Sequence, residues 1–351
     1  MNKEKLEVSI LCSTYNHKNY IRQALDGFLM QKTKFGFEVL INDDGSNDDT
    51  VGIVNEYAKK YPNIIKPYFQ KENLYSKGYR NMMMRFLFPK AKGKYIALCE
   101  GDDYWTNPEK LQNQVDFLEK NKDYALCFHS VKVTFENNSK PDSVYPDRKK
   151  TSEFTVDKLL RGNYIQTNSV MYRRQNYKNL PFDVMPGDWY LHLYHAQFGK
   201  IDFINKVMGV YRRHEEGLWW NSYANKEKLL LDHGLMQFNL YLELLKIYKL
   251  QNHRRIIYES IATLLGGIMN LKESKSKEML KEITGSHSEE LTKMVVDLNR
   301  NSIQLHQGYN QALKERNEYK DELNKIKSTK GWKLLTKYYN LRKKINLNLK
   351  K

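Results

Sequence analysis

The apolar residues of the first hundred positions change period repeatedly, and each change marks a predicted element. Val8-Ser9-Ile10-Leu11-Cys12 is a β-rich apolar run that closes in the polar turn Ser13-Thr14-Tyr15-Asn16-His17. Ile21, Ala24, Leu25, Phe28 and Leu29 then return at helical spacing. Phe37-Glu38-Val39-Leu40-Ile41 predicts a second strand, ending in Asn42-Asp43-Asp44-Gly45-Ser46. Val51, Val54, Tyr57, Ala58 and Tyr61 predict a second helix that Pro62 stops. A further strand–helix step leads to Tyr95-Ile96-Ala97-Leu98-Cys99. Such alternation implies a mostly parallel sheet with helices on both faces, and ligands in these sheets bind beyond the C-terminal ends of the strands.

Beyond this region the pattern is mixed, with strands expected at 124–135, 167–173 and 201–213 and helices near 155–161 and 188–198. From Asn225 to about Gly285 the chain reads as helices, for example through Leu229, Leu230, His233, Met236, Leu240 and Leu244. Residues 289–327 carry a heptad: Leu291, Val295, Leu298, Ser302, Leu305, Tyr309, Ala312, Arg316, Tyr319, Leu323 and Ile326, with defects at Ser302 and Arg316. That seam suits a homodimeric coiled coil through 288–327 or one amphipathic helix packed on its own domain. Residues 331–351 divide into an aromatic and aliphatic arc (Trp332, Leu334, Leu335, Tyr338, Leu341, Ile345), with Arg342 intruding, and a basic arc (Lys333, Lys337, Lys343, Lys344), with Leu347 out of place. This pattern fits the plane of an anionic membrane surface, with a partner-binding helix or a disordered basic tail as alternatives. The expected organisation is an α/β domain over 1–222, a helical extension over 223–287, the heptad helix over 288–330 and the basic tail over 331–351.

At 351 residues, 40% of them hydrophobic, the chain can hold one large core and an accessory segment. No apolar run is long enough to span a bilayer. Met1 to Glu7 passes from charges straight into a strand without a signal peptide's apolar stretch, so a cytoplasmic location is expected, peripheral on the inner face of the membrane. Cys12, Cys99 and Cys127 each fall in a predicted strand and read as buried free thiols. The net charge of +17 invites an anionic partner, but nine Lys and Arg residues lie from Lys327 onward with no acid among them. The excess is therefore local, which argues against a nucleic-acid-binding face across the fold.

The most telling polar end is Glu100-Gly101-Asp102-Asp103. Crowded carboxylates repel and raise one another's pKa, and a hard divalent cation such as Mn²⁺ or Mg²⁺ would relieve them. A cation at a strand's C-terminal edge in turn suits a diphosphate. The bland alternative is an acidic turn before a helix capped by Asn107-Pro108. No glycine-rich phosphate cradle is present, so convergence of this turn with Ser13–Asn16 and Asp43–Ser46 predicts a nucleotide crevice in which the phosphates meet a metal.

These motifs, with Val8 to Asn16, Asn42 to Asp48, Glu100 to Asp103, Tyr104 to Leu111, Gly187-Asp188-Trp189-Tyr190-Leu191 and Val210-Tyr211-Arg212-Arg213-His214, resemble family-2 glycosyltransferases of GT-A fold. The likeness covers about residues 6–222 and points to the bacterial cell-surface polysaccharide type. It implies a nucleotide-sugar donor, expected to be a UDP-sugar, with Ser13, Thr14, Tyr15, Asn16, Asp43 and Asp44 lining the nucleotide. Asn73 and Lys77 sit where such enzymes often contact nucleotide or phosphate. Glu100-Gly101-Asp102 occupies the place of the family's D-x-D, Glu100 lying near ribose or diphosphate and Asp102 with Asp103 holding the metal. The glutamate departs from the commoner aspartate, and its extra methylene leaves the direct ligand open, with Asp102 and Asp103 preferred. Asp188 matches the family's catalytic base, although by itself it reads as a helix N-cap. Arg212 and Arg213 become candidates for the diphosphate and His214 for the metal; the remaining histidines show no ligand spacing.

The resulting expectation is an inverting, metal-dependent glycosyltransferase acting on a lipid-linked or cell-surface saccharide. A sugar nucleotidyltransferase would also use a parallel sheet with clustered acids, but would want a glycine-rich basic loop after the first strand. A non-enzymatic nucleic-acid or membrane-binding protein is the third reading, and the placement of charge disfavours nucleic acid.

Overall fold

The structure is a computed structural model that describes residues 5–137, 139–147, 153–217, 220 and 226–328. Its strands are β1 (Leu6–Thr14), β2 (Gly36–Asp43), β3 (Ile65–Phe69), β4 (Tyr95–Leu98), β5 (Tyr104–Trp105), β6 (Tyr124–Phe135), β7 (Ser143–Tyr145), β8 (Met171–Arg173) and β9 (Lys200–Arg213). Its helices are α1 (Ile21–Leu29), α2 (Thr50–Lys60), α3 (Lys110–Lys120), α4 (Val156–Arg161), α5 (Gly187–Ala196), α6 (Lys226–Ile247), α7 (Gln251–Met269) and α8 (Glu273–Ser328). One mixed sheet runs β3-β2-β1-β4-β8-β6-β9-β5, with β7 added to β6. The β3, β2, β1 and β4 strands are parallel, and β8 joins β4 and β6 antiparallel.

The continuous apolar run of β1 is buried, as a central parallel strand requires: Val8, Ile10, Leu11 and Cys12 are fully enclosed. Ile21, Ala24, Leu25 and Phe28 of α1, Ile53 and Val54 of α2, and Leu111, Val115 and Leu118 of α3 join them in one core. Each such Val, Leu, Ile or Phe side chain contributes about 1.5–3 kcal/mol by leaving water. Ser9, the polar member of β1, donates to Glu38 Oε1 at 2.7 Å and accepts from the Gly93 amide at 2.8 Å. A buried hydroxyl without such partners would cost more than the strand gains from it. All three cysteines are buried free thiols.

Three local expectations differ from what forms. No α-helix lies between β3 and β4; the chain takes short turns at Tyr75–Lys77, Met83–Leu87 and Phe88–Lys90. Gly78, with φ at +92°, and Pro89 interrupt any longer helix there. Residues 167–169 form a 3-10 turn rather than strand, because Ser169 Oγ donates to the Gln166 carbonyl at 2.7 Å and Asn168 Nδ2 to the Val210 carbonyl at 2.8 Å. Asn107 does not cap α3 directly, since its Oδ1 accepts from the Glu109 amide at 2.8 Å and the helix begins at Lys110.

One compact unit extends through Ile283 and a second begins at Thr284. In the first, α6 buries Phe238, Leu240, Tyr241 and Leu244, and α7 buries Ile256, Ile257, Ile261 and Leu264. They brace α5, where Trp189 meets Tyr241 edge-on at 6.1 Å and Tyr248 donates to the Leu193 carbonyl at 2.8 Å. The backbone of α8 is helical to Ser328, with non-helical angles at His287, just before the heptad region. Most seam side chains, Leu298, Leu305, Tyr309, Leu323 and Ile326 among them, lie outside the described set, as does the 331–351 tail. No helix among the described residues is long and apolar enough to cross a membrane.

Candidate active site

Parallel pairing of β2, β1 and β4 brings their C-terminal ends side by side, and the polar turns meet there. The Gly101 amide donates to the Ser13 carbonyl at 2.9 Å, and the Asp44 amide to the Thr14 carbonyl at 3.0 Å. The Asn16 amide donates to Ser46 Oγ at 2.8 Å, while Asn16 Oδ1 accepts from the Asn47 amide at 2.9 Å. Asp43 accepts from the Ser46 amide at 2.9 Å and its hydroxyl at 2.5 Å. Gly45 sits at φ +72°, and a Cβ there would come 2.4 Å from the Glu72 carbonyl carbon, so only glycine fits this turn. Tyr15 is partly exposed beside these residues.

Asp44 is committed to a neighbouring turn, accepting from the Leu74 and Tyr75 amides at 3.0 Å each. Burial still holds its carboxyl above the ordinary range. Asn73 and Lys77 lie on that turn, where Asn73 Oδ1 accepts from the Ser76 amide at 2.6 Å and Lys77 pairs with Glu72 at 2.5 Å. Asp44 thus links the first crevice to the segment carrying both residues.

Glu100, Asp102 and Asp103 can each place a carboxylate oxygen within 4.8 Å of the others. Burial, then the charges of Asp102 and Asp188, push Glu100 up to about 8. Burial and the neighbouring acids also raise Asp103, whose Oδ1 accepts from the Arg212 amide at 2.9 Å. Asp102 differs. Burial opposes its charge, yet two imidazoles bring it below the ordinary value. His214 Nε2 lies 3.0 Å from Asp102 Oδ2, and His17 Nε2 lies 3.8 Å from the same oxygen. The donor set of crowded hard oxygens and imidazole nitrogens fits a divalent cation.

Gly101 keeps this packing open: a Cβ there would approach Thr14 Oγ1 to 2.8 Å and His17 Nδ1 to 2.9 Å. His17 was legible only as the last residue of a polar turn, because its distance from Asp102 along the chain hides the contact. Arg212 and Arg213 separate, as neighbours along a strand point to opposite faces. Arg212 donates to the Asp102 carbonyl and, at 2.6 Å, to Gln23 Oε1, with its guanidinium 4.7 Å from the Tyr20 ring and 5.1 Å from Tyr104. It braces the acidic turn from behind. Arg213 instead lies by Phe135 and Tyr211.

Asp188 stands in the first turn of α5, half-buried. Its Oδ2 accepts from Asn163 Nδ2 at 3.0 Å and Thr167 Oγ1 at 3.4 Å, and burial raises its pKa. Asn163 and Thr167 carried no sequence signal, lying in an irregular stretch. Asp188 also raises Glu100 electrostatically, so the helix terminus and the β4 end share one field. A separate hollow of about 390 Å³, lined by Gln31, Thr33, Phe35, Phe37 and Ile64, lies where β2 begins and holds no carboxylate or histidine.

Residues 9–180 match the model of glycosyl transferase family 2. That segment is just under half of the chain, and over it the chain is similar to the family. Over 222 residues it is 45% identical to an uncharacterized protein of Mycobacterium bovis, and equally to one of Mycobacterium tuberculosis. Those matches cover 63% of this chain and 63% of each relative, so the chain spans less than two thirds of their length. It is 30% identical over 175 residues to the UDP-Glc:alpha-D-GlcNAc-diphosphoundecaprenol beta-1,3-glucosyltransferase WfaP of Escherichia coli, covering 50% of this chain and 64% of that protein. Among solved structures, the mannosyltransferase PcManGT from Pyrobaculum calidifontis, in complex with GDP-Man and Mn²⁺, superposes with a TM-score of 0.53 at 14% identity. That match covers 85% of this chain and 80% of the other. TarS 1–349 of S. aureus gives a TM-score of 0.51 at 18% identity, over 80% and 79%. At these identities the likeness concerns the fold, which is that of GT-A glycosyltransferases.

Proposed function

We propose that the protein is an inverting, divalent-metal-dependent glycosyltransferase. It moves a sugar from a nucleotide-diphosphate donor, a UDP-sugar by preference, to a hydroxyl of a lipid-linked or cell-surface saccharide. The observation that supports the reading is the cluster of Glu100, Asp102 and Asp103 carboxylates, with the separately held carboxylate of Asp188 near enough to raise Glu100 electrostatically. The printed name of the Escherichia coli relative supports the donor and acceptor class.

Asp102, Asp103 and His214 would hold Mn²⁺ or Mg²⁺, and His17 stands within reach of the same carboxylate oxygen. A cation bound there supplies charge neutralisation for a leaving diphosphate. Asp188 accepts the proton of the acceptor hydroxyl as that oxygen bonds to the anomeric carbon. The bond from that carbon to the β-phosphate oxygen breaks, its electron pair staying on the phosphate. Attack opposite the leaving group inverts the centre. Ser13 to Asn16 and the Asp43–Ser46 turn border the crevice for the nucleotide, and Arg212 keeps the acidic turn in place.

The test is a panel of nucleotide sugars with Mn²⁺ and a diphosphoprenyl-linked saccharide. Metal-dependent release of nucleoside diphosphate with a β-configured product is expected from an α-linked donor. Release of pyrophosphate, or salt-sensitive nucleic-acid binding without turnover, would overturn the reading.

A further inference from the structure

Behind Asp188 lies a buried polar chain that the proposed transfer does not use. His192 follows Asp188 by one helical turn of α5, on the same face. It has no solvent exposure, and its Nε2 is 4.0 Å from Asp188 Oδ2 with no hydrogen-bond partner within ordinary distance among the described residues. Its Nδ1 is 2.5 Å from the Tyr172 hydroxyl on β8. The Tyr172 ring stacks on His195 at 3.9 Å and 12°. His195 Nδ1 lies 2.7 Å from the Leu191 carbonyl, which can only accept, so His195 carries its proton on Nδ1. The Tyr177 hydroxyl, 2.9 Å from His195 Nε2, must then be the donor.

The partner of His192 Nδ1 is a hydroxyl, which can donate or accept. Burial, then the His195 charge, holds its pKa down to about 3, so the ring is neutral near pH 7 and carries one proton. The Ile165 backbone carbonyl also faces this ring, and an acceptor there favours a donor nitrogen. A Tyr172 hydroxyl that donates into Nδ1 leaves the proton on Nε2, on the side of Asp188 or of the Ile165 carbonyl. The charged or titratable groups around the ring are thus Asp188, Tyr172 and His195, with Glu100 acting on Asp188 from β4.

We infer that His192 is a positioning residue for Asp188, with Tyr172 setting the imidazole so that its Nε2–H faces the carboxylate. The inference rests on the reading of Asp188 as the base. Asn163, Thr167 and His192 then converge on Oδ2. The 4.0 Å separation is too long for a hydrogen bond as it stands, and such contacts tighten when substrate is bound. Donation from Nε2–H favours the carboxylate over the acid and so opposes the effect of burial.

Tyr172→Phe, which keeps the ring, and His192→Leu are expected to lower kcat about tenfold with donor Kd unchanged. They should also move the acid limb of the kcat profile up by about half a pH unit or more. His192→Gln, which retains a donor, should restore part of the rate. An equal loss at every pH, or no loss, would overturn the inference. A readout independent of turnover is the tautomer of His192 by ¹H–¹⁵N correlation in histidine-labelled protein. The Nε2–H form is expected, and an Nδ1–H form would overturn it. Absence of transfer by the unaltered protein would count against the proposed function, while the tautomer would still decide the placement of His192.

Discussion

His17 Nε2 lies 3.8 Å from Asp102 Oδ2, on the carboxylate oxygen that His214 Nε2 also reaches. Two imidazoles from opposite ends of the sequence therefore flank one acid of the Glu100–Asp103 turn. If Asp102 is a metal ligand, His17 is placed either to join it or to orient it. His17→Ala should weaken Mn²⁺ binding by about tenfold, measured calorimetrically on the full chain. An unchanged affinity would leave His17 as a packing residue of the turn.

Asp188 carries the proposed proton transfer. Asp188→Asn keeps the shape of the side chain but cannot take a proton, so kcat should fall by about 10²–10⁴ while donor Kd holds. Burial raises the Asp188 pKa. The active form is the carboxylate, so activity should be lost on acidification at a pH above the ordinary aspartate range. A pH–rate profile with an acid limb near the free aspartate value would contradict this.

Lys110 is fully buried, its Nζ without a hydrogen-bond partner among the described residues and 3.6 Å from the centre of a Trp105 ring. Burial lowers its pKa from 10.5 to about 7. Below pH 7 both folded and unfolded chains hold the proton. Between about 7 and 10.5 only the unfolded chain does, so stability rises with pH across that window. Lys110→Met should therefore be more stable than the parent by about 1–3 kcal/mol at pH 6, with the margin shrinking by pH 10. Denaturant midpoints at the two pH values check it, and a constant margin would argue against a titrating Lys110.

The basic amphipathic pattern of 331–351 carries the proposal of membrane contact. Deleting these residues should abolish sedimentation with vesicles containing anionic lipid while leaving donor hydrolysis intact. Retained sedimentation would assign membrane contact elsewhere.

Much of the scaffold was legible because it is written locally. The runs at Val8–Cys12, Phe37–Ile41 and Tyr95–Leu98 form buried strands, and the spacing of Ile21, Ala24, Leu25 and Phe28 forms α1. The region between β3 and β4 was less legible, since closely spaced breakers leave no periodicity to read.

By itself the sequence determined the strand ends, the acidic turn and its likeness to one enzyme family, because each is a pattern of residues only a few positions apart. Only the tertiary structure decided that His17 meets Asp102, that Arg212 bonds the Asp102 carbonyl while Arg213 lies by Phe135 and Tyr211, and that His192 and Tyr172 stand behind Asp188. Those contacts depend on sheet order and register. Placing β8 between β4 and β6 brings Tyr172 into the middle of the sheet, where α5 carries His192 onto it. Pairings between distant segments arise from the fold's total burial and loop closure, and no short stretch of sequence encodes them.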